Sequence, residues 1–238
     1  MLEIKDLHVN YGAVHALNGV SMTVKDGENV SLIGANGAGK SSLILSMVGV
    51  LPSDGSVEID GVKLGKSTLT DIRRLAGVVF QNPDDQIFQD SIYKEIAFGL
   101  LKSGMGKAEI DKKVKETATL CGLENVLEEH PYNLSYSKRK FITIAAIVVM
   151  DPDVVILDEP TAAQDPLMET SILKMFLQIA QGKTAIIVSH RIGICKEVDK
   201  IIVMKDGKIA ETGNHEELLA EKGEYYRLYT MQQKWYEE

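Results

Sequence analysis

Residues 30 to 49 read VSLIGANGAGKSSLILSMVG. An apolar run leads into glycines at 34, 37 and 39, then Lys40 and Ser41, and a helical period follows, so the stretch satisfies G-x-x-x-x-G-K-[ST] in a strand-to-helix setting. Glycines let successive backbone N–H groups turn inward around phosphate oxygens without Cβ clashes, and the start of the helix adds its partial positive charge. Lys40 is placed to reach β- and γ-phosphates, and the Ser41 hydroxyl to ligate Mg²⁺. The pattern alone would arise in roughly one chain in a hundred of this length, and its setting lowers that further. The stretch therefore predicts a nucleotide site.

Working outward, short β-branched runs alternate with segments of helical period, the pattern of an α/β fold around a largely parallel sheet. The runs are Asn29 to Ile33, Val57 to Ile59, Gly77 to Phe80, Val154 to Leu157, Thr184 to Val188 and Lys200 to Met204. Several are almost wholly Val, Ile and Leu, which predicts burial on both faces. Residues 91 to 150 break the alternation with three helical segments, SIYKEIAFGLLK, KAEIDKKVKETATLCG and SKRKFITIAAIVVM. They predict a helical sub-lobe inserted between turn-rich NPDD at 82–85 and DPD at 151–153. Asn214, with Glu217 three residues on, predicts a capped helix over 215–221.

Composition narrows the function classes. The chain has 238 residues, 26 Lys plus Arg against 34 Asp plus Glu, and a net charge of −8, so no global field would hold it on nucleic acid. Cys121 and Cys195 form no CxxC pair and are read as small core residues in a reducing compartment. The start, MLEIKD, lacks the features of a secretory signal, and the longest apolar run, Phe141 to Met150, is about half of the roughly 20 residues a membrane span needs. Any membrane role is thus expected to come through a partner.

A second carboxylate-bearing strand, VVILDEP, ends in Asp158 and Glu159, at the sheet edge where open α/β folds hold ligands. A lone Asp-Glu pair after a strand is commonly a solvated turn. Beside the phosphate loop, Asp158 can hold the Mg²⁺ shell and Glu159 can polarise an attacking water.

The remaining motifs fall in a specific order: Gln81 after a strand, LSYSK before VVILDEP, AAQD after it, and IIVSHR, in which His190 ends a later strand. This order resembles the nucleotide-binding domain of ATP-binding cassette (ABC) proteins over essentially the whole chain. The resemblance implies a P-loop NTPase core with a mostly parallel sheet, an N-terminal antiparallel β subdomain and an inserted α-helical subdomain. It implies one domain over 1–238, with 1–81 and 153–238 as the core and 82–152 as the helical part. By the same resemblance Tyr11 would stack on adenine, Asn36, Gly37, Ala38, Gly39, Lys40, Ser41 and Ser42 would cradle the phosphates, and Gln81 would reach Mg²⁺ and the attacking water. Glu159 would be the general base, His190 would contact the γ-phosphate, and Asp165 would link two sites across a dimer. Each has a plainer role when taken alone, as a packing aromatic, a loop amide or a structural imidazole.

Two such domains would meet head to tail, each ATP lying between one phosphate loop and the other chain's signature helix. The usual Leu-Ser-Gly-Gly-Gln stands here as Leu134-Ser135-Tyr136-Ser137-Lys138. Ser135 could still donate to a γ-phosphate, but Ser137 puts a Cβ where backbone should approach closely. Lys138 replaces an amide, and Gln164 stands where an apolar residue is usual. In a heterodimer this helix would complete a slow or structural site on the partner's nucleotide; in a homodimer both sites would carry the serine. The first is the working expectation. In the stretch itself, Ser135 to Ser137 read as an anion site with Lys138 at its edge. Arg139 and Lys140 are expected on the solvated face, with Phe141, Ile144 and Ala145 turned to the core.

VVFQNPDDQIF followed by LSY resembles ATPase subunits of energy-coupling-factor importers for vitamins and transition metals, whose C-terminal extension is often longer. The N-terminal stretch is closer to amino-acid importer ATPases and the C-terminal one to exporter ATPases. The loop near Gln81 to Phe88, with Ile87 and Phe88 as apolar contacts, would receive a short permease helix at the cytoplasmic face of the membrane. The rival is a soluble ABC ATPase acting in cofactor assembly or another non-transport complex.

Overall fold

The computed structural model describes residues 1–159, 172, 175–176, 178–180, 182–189 and 192–236, with main chain alone for 192 and 234–236. Strands β3 (Asn29–Gly34), β6 (Ala76–Val79), β7 (Val154–Asp158), β8 (Thr184–Val188) and β9 (Lys200–Lys205) form a parallel sheet in the order β9-β3-β8-β7-β6. Strand β10 (Lys208–Gly213) joins its β9 edge antiparallel. A second, antiparallel sheet has the order β2-β1-β4-β5, built from β1 (Leu2–Tyr11), β2 (Val14–Val24), β4 (Asp54–Ile59) and β5 (Val62–Lys63). Val57 to Ile59 thus form a strand, but in this sheet and not in the parallel one.

Strand periodicity divides the parallel sheet's side chains between two cores. Val155, Leu157, Ala185, Ile187, Ile201 and Val203 face a helical layer, while Val154, Ile156, Ile186, Val188, Ile202 and Met204 face the antiparallel sheet. Helix α1 (Lys40–Met47) and α2 (Leu69–Leu75) lie on the second side through Leu43, Ile44, Met47 and Ile72. The core on the first side takes in residues of α3 (Ile92–Ala97), α4 (Lys107–Leu120) and α5 (Tyr136–Val148), together with Ile172, Phe176 and Ile179. Between β6 and β7 the chain is wholly helical apart from its loops. Both faces are covered, which explains strands that read as continuous apolar runs. The thiols of Cys121 and Cys195 are buried and free, burial pushing them up to about 12 and about 11.

Near the end, α6 (His215–Glu221) starts with the expected capping box: Glu217 N–H donates to Asn214 Oδ1 at 3.0 Å, and Asn214 N–H to Glu217 Oε2 at 2.9 Å. Helix α7 (Glu224–Tyr236) is capped from β10, because the Glu211 carboxylate accepts from Glu224 N–H and Tyr225 N–H. At the sheet's other edge, β6 has no strand beyond it among the described residues. The Gln86 amide takes that place, accepting from Phe80 N–H at 2.8 Å and donating to the Val78 carbonyl at 3.0 Å.

One charged side chain ties the two sheets. Lys200, at the start of β9, donates to the Thr23 carbonyl of β2 at 3.0 Å and pairs with Glu28 at 2.6 Å. Burial works to raise the Glu28 carboxyl, but Lys200 and the Lys25 N–H outweigh it and hold it below its ordinary value of 4.5. A lowered carboxyl stabilises the fold above the unfolded value and ceases to do so as pH falls through the folded one. Glu28→Gln is therefore expected to cost about 1 to 3 kcal/mol at neutral pH. Denaturant titrations at descending pH should show that difference shrinking in the acid range below 4.5.

Candidate functional site

The phosphate loop leaves β3 at Gly34 and enters α1 at Lys40. Its main chain is gripped on two sides. A Cβ on Gly34 would lie 2.4 Å from the Met204 carbonyl, and one on Gly39 would lie 2.6 Å from the Ala16 carbonyl. Gly39 also has φ +102°. Gly37 has φ +80° but nothing within 4 Å of such a Cβ, so its space opens to the cleft. Gly34 and Gly39 let the loop pack, whereas Gly37 leaves room for a ligand.

The cleft has a volume of about 510 Å³. Tyr11, Asn36, Gly37, Gly39, Lys40, Ser41, Ser42, Gln81 and Glu159 line it, and the Tyr11 hydroxyl lies 3.5 Å from Ser42 Oγ. Half of the Tyr11 surface is exposed, which leaves its ring available for stacking. Lys40 is buried, its ammonium donating to the carbonyls of Gly34 at 2.9 Å and Ala35 at 3.2 Å. Burial lowers its pKa, against the opposing pull of Glu159 and Asp158. Ala38 is buried beneath the loop.

Asp158 ends β7 and is buried. Burial and the neighbouring Glu159 charge raise its carboxyl, while Lys40, Lys140 and a hydrogen bond from Ser41 act in the other direction. Glu159 has φ +44°, a strained value for a non-glycine residue. Its N–H donates to the Val188 carbonyl at 2.9 Å, and its Oε2 accepts from Gln81 Nε2 at 2.9 Å. Ser41, Gln81 and Asp158 together offer hydroxyl, amide and carboxylate oxygens, a hard donor set that fits Mg²⁺.

A family model described as ABC transporter matches residues 17–162. The chain belongs to the ABC transporter family. It is 41% identical to the energy-coupling factor transporter ATP-binding protein EcfA of Methanocaldococcus jannaschii, over 93% of this chain and 81% of that protein. Among solved structures it is similar to cbiO1 from Clostridium perfringens, part of the ABC transporter complex cbiONQ, at 35% identity and TM-score 0.84, covering 93% of this chain and 91% of that one. It also resembles an ATP-binding cassette in a dimeric post-hydrolysis state bound to ADP and Pi, at 27% identity and TM-score 0.82, covering 90% and 98%. The chain is an ATP-binding, ATP-hydrolysing ABC cassette, and the likeness to energy-coupling-factor ATPases extends well beyond the loop after Gln81.

Not every expected site residue meets in this cleft. His190 and Asp165 lie outside the described residues, as does Gln164. Ser135 and Ser137 do not line it. Ser135 is exposed and is the N-cap of α5, its Oγ accepting from Lys138 N–H at 3.4 Å. Sequence reading missed Val14, His15 and Ala16, which also line the cleft. The signal was the tight Gly12-Ala13 turn, which pairs Tyr11 with Val14 and Asn10 with His15.

Three expectations near the cleft need correction. Lys140 is not on a solvated face: it is 0% exposed, and its ammonium donates to the Gln81 carbonyl. Burial, against the pull of Asp158 and Glu159, lowers it to about 8. Arg139 is largely buried too, paired with Asp84 at 2.9 Å and lying 5.0 and 5.6 Å from the ring centroids of Tyr132 and Tyr136. Both cations reach back to the loop after β6, a tertiary pull that outweighs their local tendency to stay hydrated. Ile87 is 5% exposed and packs in the helical core, so it offers no outward contact; Phe98 is exposed beside Phe88 instead, and Leu101, three residues on, is exposed as well.

The two loop glycines should separate in mutation. Gly37→Ala has room for its Cβ and carries only the left-handed strain of about 1 to 2 kcal/mol, so it should fold yet bind ATP at least about tenfold more weakly. Gly39→Ala adds a backbone clash and should lose more stability than Gly37→Ala. Thermal melts beside ATP-binding titrations check both.

Proposed function

We propose that this chain is the ATPase subunit of an energy-coupling-factor type transporter, pairing with a second ABC cassette and driving a separate integral membrane permease for a small solute such as a vitamin or metal ion. The observation that carries the reading is the meeting of Tyr11, the phosphate loop, Gln81 and Glu159 in one cleft, with the Gln81 amide 2.9 Å from the Glu159 carboxylate. In this reading Tyr11 stacks on adenine and the N–H groups of residues 36–42 hold the phosphates. Lys40 exchanges its carbonyl partners for phosphate oxygens, a stronger charge-assisted bond. Ser41, Gln81 and Asp158 would hold Mg²⁺, which when bound neutralises phosphate charge. Glu159 accepts the proton of the attacking water while Gln81 fixes its orientation. His190 is assigned to the γ-phosphate and Asp165 to communication across the dimer, both on sequence order alone.

The permease contact is assigned to Phe88, Phe98 and Leu101, which are 62%, 46% and 65% exposed. Phe88 and Phe98 pack edge to face at 4.7 Å, and Glu95 holds the loop beneath by accepting from Phe88 N–H and Gln89 N–H at 3.0 and 2.8 Å. No described helix is long and apolar enough to cross a membrane, so attachment to the cytoplasmic face would come from the permease. Loss of Phe88 and Leu101 to Asp should release the cassette from membranes that contain the permease. Membrane fractionation checks this, and a wild-type chain that stays in a soluble complex would sink the transporter reading.

The partner cassette is expected to be non-identical. Tyr136 and Ser137 occupy the usual glycine positions in the helix start that would face the partner's nucleotide, and the Arg139 guanidinium lies over the Tyr136 ring. The purified chain alone should hydrolyse ATP slowly, Ser137→Gly should raise that rate, and adding a cassette with an intact signature should raise it further. Glu159→Gln should lower turnover by about 10²-fold or more. Normal turnover by the chain alone, unchanged by Ser137→Gly, would count against the asymmetric pair.

A further inference from the structure

Lys140 lies within the second turn of α5, five residues after the Ser135 N-cap, and is fully buried. A buried ammonium normally pairs with a carboxylate, since desolvation costs several kcal/mol per ion. Among the described residues Lys140 has no ion pair within 4 Å. It donates instead to a neutral acceptor, the main-chain carbonyl of Gln81, 59 residues away in sequence. Asp158 and Glu159 support its charge from a distance. Gln81 is the residue whose side-chain Nε2 donates to Glu159 Oε2 at 2.9 Å. Lys140 therefore touches the backbone of the residue that touches the base, and it does so from the helix that begins at the signature serine.

We propose that Lys140 is a positioning residue for hydrolysis: it anchors the Gln81 backbone to α5, so that the Gln81 amide is aimed at Glu159 and any shift of α5 is passed to the chain's own catalytic carboxylate. Arg139 reinforces the anchor one residue earlier, holding Asp84 at 2.9 Å while it donates to the Leu134 carbonyl at 3.2 Å. The loop from Gln81 to Asp84 is thus held to the start of α5 at both ends. A partner nucleotide that moves Ser135 would move Lys140 with it, because both belong to one rigid helix start. This rests on the assignment of Glu159 as base.

The test is a double-mutant cycle in the assembled transporter. Lys140→Met removes the donor and keeps the chain length, Lys140→Gln restores an N–H, and each is made with Gln81 intact and as Gln81→Ala. Turnover, KM for ATP and melting temperature are measured for all. Lys140→Met should lower kcat by about tenfold, since small misplacements of catalytic groups are costly, with KM changed less than about twofold. Lys140→Gln should recover much of the loss. In the Gln81→Ala background Lys140→Met should add less than about twofold, because the groups act in series.

The inference fails if Lys140→Met lowers kcat by the same factor in both backgrounds, if it leaves kcat unchanged, or if Lys140→Gln is no better while melting at the wild-type temperature. Should Lys140→Met not fold, Lys140→Gln against Lys140→Ala completes the cycle on the same criteria. Glu159→Gln separates the two readings. Unchanged turnover in Glu159→Gln overturns the base assignment and this inference with it, whereas full loss beside an additive cycle overturns the inference alone.

Discussion

Two lysines and two carboxylates act on one another electrostatically at the C-terminal edge of the parallel sheet, and several layers of the fold hold them in place. Lys40 and Lys140 are 6% and 0% exposed, and Asp158 is 8% exposed. Charges withdrawn from water to this extent are tolerated only when each has compensation. Here that compensation comes from every layer. The phosphate loop gives Lys40 two carbonyls, the loop after β6 gives Lys140 another, and the Val188 carbonyl of β8 fixes the Glu159 backbone. A site of this kind cannot be assembled from one element, so its integrity reports on the packing of the whole domain.

The antiparallel sheet has a part in this. Ala16 of β2 supplies the carbonyl against which Gly39 packs, and the same carbonyl lies 2.7 Å from where a Cβ of Gly207 would stand. Gly207 N–H in turn donates to the Ala38 carbonyl at 3.2 Å. The phosphate loop is therefore seated between the β2 strand and the β9–β10 turn, and its glycines at 34 and 39 answer to protein neighbours as much as to a ligand. Positioning by backbone is cheap to hold in place, because no rotamer has to be fixed when the nucleotide arrives.

What the sequence disclosed followed from how local each signal is. The phosphate loop, the parallel strands and the Asn214 capping box are each specified within about ten residues, and all stood out. Strand β1 was harder to place because its alternation is interrupted: Leu2 and Ile4 point to the core, then Leu7 and Val9, with a register shift between Ile4 and Leu7 and Asp6 at φ +49°. A period of two with one residue inserted does not read as a strand until its partner is known. Gly55 is that partner, its missing side chain making room for the Lys5 and Asp6 carbonyls. Lys140 was misplaced for a stronger reason. Three cations in a row read as a hydrated face, and nothing within α5 announces that a carbonyl 59 residues away will take the ammonium. Of the site residues, those whose chemistry is local were legible, and those whose role is to hold another element were not.

The altered signature can be understood from the same contacts. A tyrosine in place of the first glycine would be hard to accommodate were its ring loose at a surface that must close on a partner. Here the Arg139 guanidinium lies near the rings of both Tyr132 and Tyr136 and is itself held by Asp84, so the ring belongs to a network anchored in the loop after Gln81. Position 136 has lost the conformational freedom of glycine and gained a fixed neighbour. A helix start built this way is stiffer than one built on two glycines. It would close less tightly on a phosphate, yet carry its own displacement more faithfully to Gln81, since the loss of adaptability and the gain in rigidity have the same structural source. An asymmetric pair of cassettes would make use of both, with weak chemistry at the site this helix would complete and firm transmission to the site for which Glu159 is proposed as base.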